Sequence, residues 1–149
     1  MKHGVLVTLL LAGQTSEAAA NGASIFDANC AVCHQTGGVG VPGQFPRLAG
    51  RIGIVAAKPE GRNFLSRLVL NGMAGRVTVD GDQIIGIMPN FDALPDADIA
   101  SVLTYVSGLN HAPVAFTAAE VKAARRLPKL SPSDVAMERA RLAGKKIIP

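Results

Sequence analysis

The chain of 149 residues is poor in the side chains that build self-contained metal sites and nucleic-acid surfaces: two cysteines, three histidines, one tyrosine and no tryptophan. A structural zinc site needs four Cys/His ligands. Here a second cysteine pair is missing, and His3 and His111 lie far in sequence from His34. Two cysteines allow at most one disulfide, so a disulfide framework is excluded. Aromatic residues are only 4% of the chain, and the basic C-terminal part holds Phe116 alone among its lysines and arginines. The basic–aromatic interleaving of a nucleic-acid binder is therefore absent. Long apolar runs are missing too: Val5 to Ala12 is far shorter than the roughly 20 residues of a spanning helix, and no later stretch approaches that length. Neither a Ser-His-Asp arrangement nor a pair of carboxylates is recognisable along the chain.

What is present is concentrated. Both cysteines and one histidine fall within five residues, Cys30-Ala31-Val32-Cys33-His34. C-x-x-C-H is the attachment spacing of c-type haem, in which both cysteines hold the porphyrin through thioethers and the histidine ligates the iron. The spacing has a local cause. With about 3.6 residues per helical turn, cysteines three apart share a face and can meet one macrocycle, while the next residue points beneath its centre. Other chemistries of the same residues are zinc binding, a structural disulfide and a thioredoxin-type redox pair. The redox pair wants a preceding strand and a βαβ pattern, whereas the residues before Cys30 are helical in character.

The first twenty residues read as an export signal: Lys2, the apolar run Val5 to Ala12, and an A-x-A cleavage pattern in Ala18-Ala19-Ala20. The expected mature chain begins near Asn21, soluble and periplasmic. The organisation expected is a signal peptide at 1–20, a haem domain at 21–110 and a basic helical C-terminal extension at 111–149. Charge marks the last boundary. Residues 21–110 hold six Lys/Arg against seven Asp/Glu, whereas residues 111–149 hold eight against three.

Along the mature chain, Ile25, Phe26, Asn29 and Cys30 cluster on one side of a helix over about 21–30. A Gly/Pro-rich loop follows over 35–50. Its Gly38-Val39-Gly40-Val41-Pro42-Gly43 matches G-x-G-x-x-G, but without a preceding strand or a βαβ unit it is no dinucleotide site. Pro59-Glu60-Gly61 opens a helix through Asn71, with Phe64, Leu65, Leu68 and Val69 as its buried stripe and Gly72 as its stop. Asp80-Gly81-Asp82, flanked by Val77-Thr78-Val79 and Ile84-Ile85, predicts a β-hairpin. A helix from Pro95 to Gly108 follows, with Asp96 and Asp98 suited to its N-terminal dipole. In the extension, Thr117 with Glu120 forms a capping box, and Ser131-Pro132-Ser133-Asp134 repeats the start signal, predicting two short helices.

Residues 21–110 resemble a class I monohaem c-type cytochrome. Besides C-x-x-C-H, Gly22 and Phe26 match the first helix of that family, Val102 and Tyr105 match its last, and Phe45-Pro46-Arg47-Leu48-Ala49-Gly50 resembles its P-x-L-x-G loop. The resemblance implies an all-α cytochrome c fold, three to four helices around one covalent haem, here with a short β-hairpin inserted before the axial methionine and a short helical C-terminal extension. It implies that Cys30, Cys33, His34, Pro46 and Met88 bind the cofactor, haem c, with His34 and Met88 on the iron and the Pro46 carbonyl orienting His34.

Among four methionines, Met88 lies in a loop and precedes a proline shortly before the last helix, as the family's ligand does; Met73 reads as a packing or turn residue at a helix end, and a histidine such as His111 or an open site are the remaining alternatives. Methionine is a weak donor that raises the reduction potential. Arg47, Arg51 and Arg62 are candidates to neutralise the haem propionates.

The expected function is a periplasmic carrier of single electrons between redox proteins, not an enzyme, with no catalytic residues. The alternatives are the electron-accepting subunit of a periplasmic dehydrogenase and, more remotely, a peroxidase or gas sensor with a displaceable sixth ligand. The basic extension reads either as a docking segment for an acidic partner or as a segment packed on the haem domain.

Overall fold

The computed structural model describes the backbone of residues 14–149 and the side chains of residues 21–149, so the expected leader at 1–20 lies outside the described side chains. Helix α1 (Gln14–Asn29) and helix α5 (Asp96–Ser107) cross in close contact. Gly22 makes the approach possible: a Cβ there would stand 2.2 Å from the Ser101 carbonyl oxygen. One turn on, Phe26 is fully buried against Val102 and Val106, with its ring 5.5 Å from that of Tyr105. The four family-matching positions therefore meet at one crossing.

Helix α2 (Ala31–His34) is a single turn, and Gln35 at φ 60 ends it. Loop 35–50 folds back on itself, the Gly38 carbonyl accepting from both Leu48 and Ala49 amides. It forms no regular element beyond one 3-10 turn, Thr36–Gly38, and a Val41–Phe45 bridge. Helix α3 (Ile52–Ala56) follows, too short to leave a periodic trace in the sequence. Helix α4 runs Pro59–Asn71 with proline in its first turn and Gly72 beyond its end at φ 71. Phe64 and Leu65 face the core; Leu68 and Val69 are only half-buried, because they line a cavity described below.

The hairpin is longer than its central signal. Strands β1 (Met73–Val79) and β2 (Asp82–Met88) pair antiparallel around the two-residue loop Asp80-Gly81. Both loop residues have positive φ, 55 and 90, as a type I′ turn requires. Pairing extends to its base, where Met73 lies opposite Met88. Met73 is thus the first residue of a strand and not the end of a helix, and Met88 ends a strand and not a loop. Gly72 causes this: its left-handed turn drops the chain out of α4 so closely that a Cβ would lie 2.6 Å from the Met88 carbonyl oxygen.

Helices α6 (Ala118–Arg125) and α7 (Pro132–Gly144) both begin with reciprocal capping boxes, Thr117 with Glu120 and Ser131 with Asp134. They share one apolar core with α3, α4 and α5, through Val121, Val135 and Leu142 among Phe64, Leu65, Ile99 and Leu103. Helix α7 packs along β1. The join to α5 is polar and fully satisfied: Thr104 Oγ1 accepts from the Phe116 amide at 2.9 Å and Ser107 Oγ from the Val114 amide at 2.8 Å. No helix among the described residues is long and apolar enough to cross a membrane.

Candidate functional site

Local backbone bonding shapes the C-x-x-C-H segment. The amides of Cys33 and His34 both donate to the Cys30 carbonyl, at 3.1 and 2.9 Å, closing one tight turn that leaves both thiols and the imidazole on the wall of one cavity. The cysteines are free thiols. Burial pushes the Cys30 thiol up to about 11, with Cys33 adding to the shift. A catalytic dithiol works through a depressed thiolate, so this environment is the opposite of a thioredoxin-type site.

His34 is held from the side. Its Nδ1 lies 2.9 Å from the Pro46 carbonyl oxygen, which can only accept, so Nδ1 carries the proton and the lone pair belongs to Nε2. Burial lowers the imidazole's proton affinity, outweighing the opposing effect of the Pro46 bond. A neutral, oriented imidazole with a bare Nε2 is a metal ligand in waiting.

Two adjoining cavities, of about 140 and 130 Å³, share Cys30, His34, Pro46, Met73, Val77 and Met88 on their walls. The rest of the lining is largely apolar, including Phe64, Leu65, Leu68 and Val69 of α4 and Val102, Leu103 and Val106 of α5. Both Met73 and Met88 reach it from opposed positions at the hairpin base. They differ in surroundings. Met73 packs against the main core and the hairpin's own cluster of Val77, Val79 and Ile84, whereas Met88 belongs to neither. His111 hydrogen-bonds the adjacent Ala112 carbonyl and lines neither cavity. Among the described residues, no three His, Cys, Asp or Glu side chains stand together as a protein-only metal cluster. The donor set fits haem c: two free cysteines, an oriented neutral imidazole and a thioether on one slot with apolar walls.

The three arginine candidates separate. Arg62 points elsewhere, donating to Glu120 at 2.7 and 2.8 Å and lying 4.3 Å above the Phe116 ring. Arg47 and Arg51 line the second cavity. Both donate to Asp80 at the hairpin tip, Arg47 through Nε at 2.8 Å and Arg51 through Nη1 at 2.7 Å. Hydrogen bonding to Arg47, reinforced by both positive charges, holds the Asp80 carboxyl below its ordinary range.

Sequence reasoning missed part of the wall. Arg139, Ile148 and Pro149, all in the C-terminal segment, line the same cavity as His34 and Met88. A signal existed for Arg139. It falls four residues after Val135 and three before Leu142, on the buried stripe of α7, where a solvated arginine has no place.

Comparison with known proteins agrees with this geometry. A family model described as Cytochrome c matches residues 19–110. A protein named "Cytochrome c-552" from Thermus thermophilus is 40% identical over 150 residues, covering 95% of this chain and 98% of that relative. A second "Cytochrome c-552" from the same species is 40% identical over 131 residues, covering 83% of this chain and 97% of its own length. The first similarity runs past the end of the family match, into the segment that carries α6 and α7.

Proposed function

Because this chain belongs to the cytochrome c family, and so is an electron-transfer protein carrying covalent haem c, we propose that it is a periplasmic carrier whose iron is held by His34 and Met88. Bound haem c supplies reversible one-electron exchange between Fe(III) and Fe(II). Everything else is the work of the chain. Cys30 and Cys33 anchor the macrocycle through their sulfurs, and the Pro46 carbonyl fixes the tautomer and angle of His34. Met88, at the base of the hairpin, would supply the second protein ligand. With His34 and Met88 both holding the iron, no open coordination site would remain for small ligands, which favours carriage over catalysis.

The observation carrying this reading is the 2.9 Å bond from His34 Nδ1 to Pro46, which leaves Nε2 as the imidazole's free nitrogen on a cavity that Met88 also lines. Met88 is preferred to Met73 because Met73 is engaged by two apolar clusters. A thioether ligand and apolar walls both favour Fe(II), so the carrier works at a raised potential among donor and acceptor redox proteins. Export rests on Lys2, the Val5 to Ala12 run and the Ala18-Ala19-Ala20 pattern. It also agrees with haem attachment on the outer side of the bacterial membrane.

Optical spectra of the haem-loaded protein test the ligand assignment. Wild type should give thioether-shifted reduced bands and the weak methionine-to-Fe(III) band. Met88→Ala should lose that band and bind carbon monoxide when reduced, while Met73→Ala should keep it. Loss in Met73→Ala alone, or ready carbon monoxide binding by reduced wild type at neutral pH, refutes the assignment.

A further inference from the structure

The two edges of the hairpin are finished differently. Helix α7 lies against β1, and Arg139 donates to the outward Thr78 carbonyl oxygen at 3.1 Å. Nothing comparable covers β2. In a two-residue hairpin the pair beside the turn, here Val79 with Asp82, exchanges hydrogen bonds, and bonded pairs recur at every second residue. Gln83, Ile85 and Ile87 therefore aim their N–H and C=O groups away from β1, and among the described residues no backbone group outside the hairpin bonds to them. Protein edges are ordinarily blunted by a lysine, a proline or a bulge. Residues 83–88 carry no charge and no proline, and their register with β1 is uninterrupted. The side chains beside this open edge are apolar: Ile85 is 71% and Ile87 79% exposed.

We propose that the β2 edge is an interface for a second copy of this chain, the two β2 strands pairing antiparallel about a two-fold axis at Ile85. The strand is its own complement in that register. Ile85 comes opposite Ile85, and Gln83 opposite Ile87, so the three residues with outward backbone groups on each strand satisfy one another and the four isoleucines share one face. Like charges do not meet. Asp82 comes opposite Met88, and Arg76, which pairs with Ile85, stands three strand spacings from its counterpart, about 14 Å, beyond the screening length of about 8 Å. Gly86 and Ile87 also line the first cavity, so the paired edges bring two cofactor cavities to one interface, where electrons can pass between copies. That consequence alone rests on the haem reading above.

Sedimentation equilibrium of the haem-loaded full chain, from about 10 μM to about 1 mM, tests the pairing. The mass of wild type should rise toward that of two copies across this range. At the axis residue 85 faces itself, with Cα atoms about 5.5 Å apart. Ile85→Lys and Ile85→Glu should therefore each weaken self-association about tenfold or more through like-charge repulsion, and an equimolar mixture of the two should recover it. Ile54→Lys, the same change at an exposed isoleucine of α3, should leave it unaltered. Wild type monomeric throughout, a dimer that survives in both residue-85 variants, or a mixture that stays monomeric overturns the proposal. The absorption spectrum of the same samples reports separately on the haem reading.

Discussion

Leu142→Ala isolates whether α7 is structural or merely attached. Leu142 is fully buried, in the same cluster as Phe64, Leu65, Ile99 and Leu103 of the preceding helices. Truncation removes three carbons. At about 0.8 kcal/mol per buried methylene the transfer loss is roughly 2.4 kcal/mol, and incomplete collapse around the cavity raises the total to about 3–5 kcal/mol. For a domain of this size, each kcal/mol moves the melting midpoint by about 3–4 °C, so Tm should fall by about 10 °C or more. Met137, exposed on the same helix, is the control, and Met137→Ala should change Tm by at most about 2 °C. Thermal unfolding of the haem-loaded protein, followed together by far-ultraviolet circular dichroism and by the haem absorption, reads this directly. If α7 belongs to the one core, both probes melt together at the lower temperature. A Tm unchanged in Leu142→Ala, or an early transition in helical signal with the haem signal unmoved, refutes the reasoning.

Gly22→Ala is expected to destabilise the haem-loaded protein by about 1–3 kcal/mol through overpacking against the Ser101 carbonyl, reversing the gain of up to about 1 kcal/mol that alanine normally brings to a helix; chemical denaturation checks it, and a stabilised variant contradicts it. Burial works against the Glu120 carboxylate, but hydrogen bonds from Arg62 and Thr117 outweigh it and leave its proton affinity lowered on folding. Its contribution is therefore present above the ordinary carboxylate range near 4.5 and lost as pH falls below it, so Glu120→Gln should narrow the stability difference between about pH 7 and pH 3; an unaltered acid limb would count against the Arg62–Glu120 pair.

Residues whose roles are local were the legible ones. Pro59 and Gly72 delimit α4 through a fixed φ and a left-handed stop, and Asp80-Gly81 makes its turn by its own backbone preference. The Thr117 and Ser131 caps hydrogen-bond within three residues. C-x-x-C-H is legible for the same reason, being one turn of chain. What was not legible depends on partners distant in sequence. Ala74 and Gly75 carry little strand propensity; they pair because Ile87 and Gly86 lie opposite and α7 packs along β1. Arg62 and Arg51 look alike as isolated arginines in a basic-poor segment. Only the fold sends one to Glu120 and the other to Asp80.

The charge asymmetry between residues 21–110 and 111–149 invites a reading in which the basic segment waits for an acidic partner. Much of that partner lies in the same chain. Arg125 donates to Asp96 at 2.8 Å and to the Asp92 and Leu94 carbonyls, while Lys129 meets Asp92 at 3.0 Å. Arg139 turns inward to the cavity, and Arg141 is taken by Glu138. Hydrogen bonding to Lys129 and the positive charges of Lys129 and Arg125 hold the Asp92 carboxyl below its usual range, so these contacts are formed by ionised groups at neutral pH. Exposed pairs of this kind add little stability each, yet they orient α6 and the approach to α7 against the start of α5. The apolar core then makes the attachment strong, and the arginines make it specific. A segment anchored in this way cannot swing out to meet a partner without exposing Val121, Val135 and Leu142, and in its packed position it places Arg139, Ile148 and Pro149 on the wall of the second cavity.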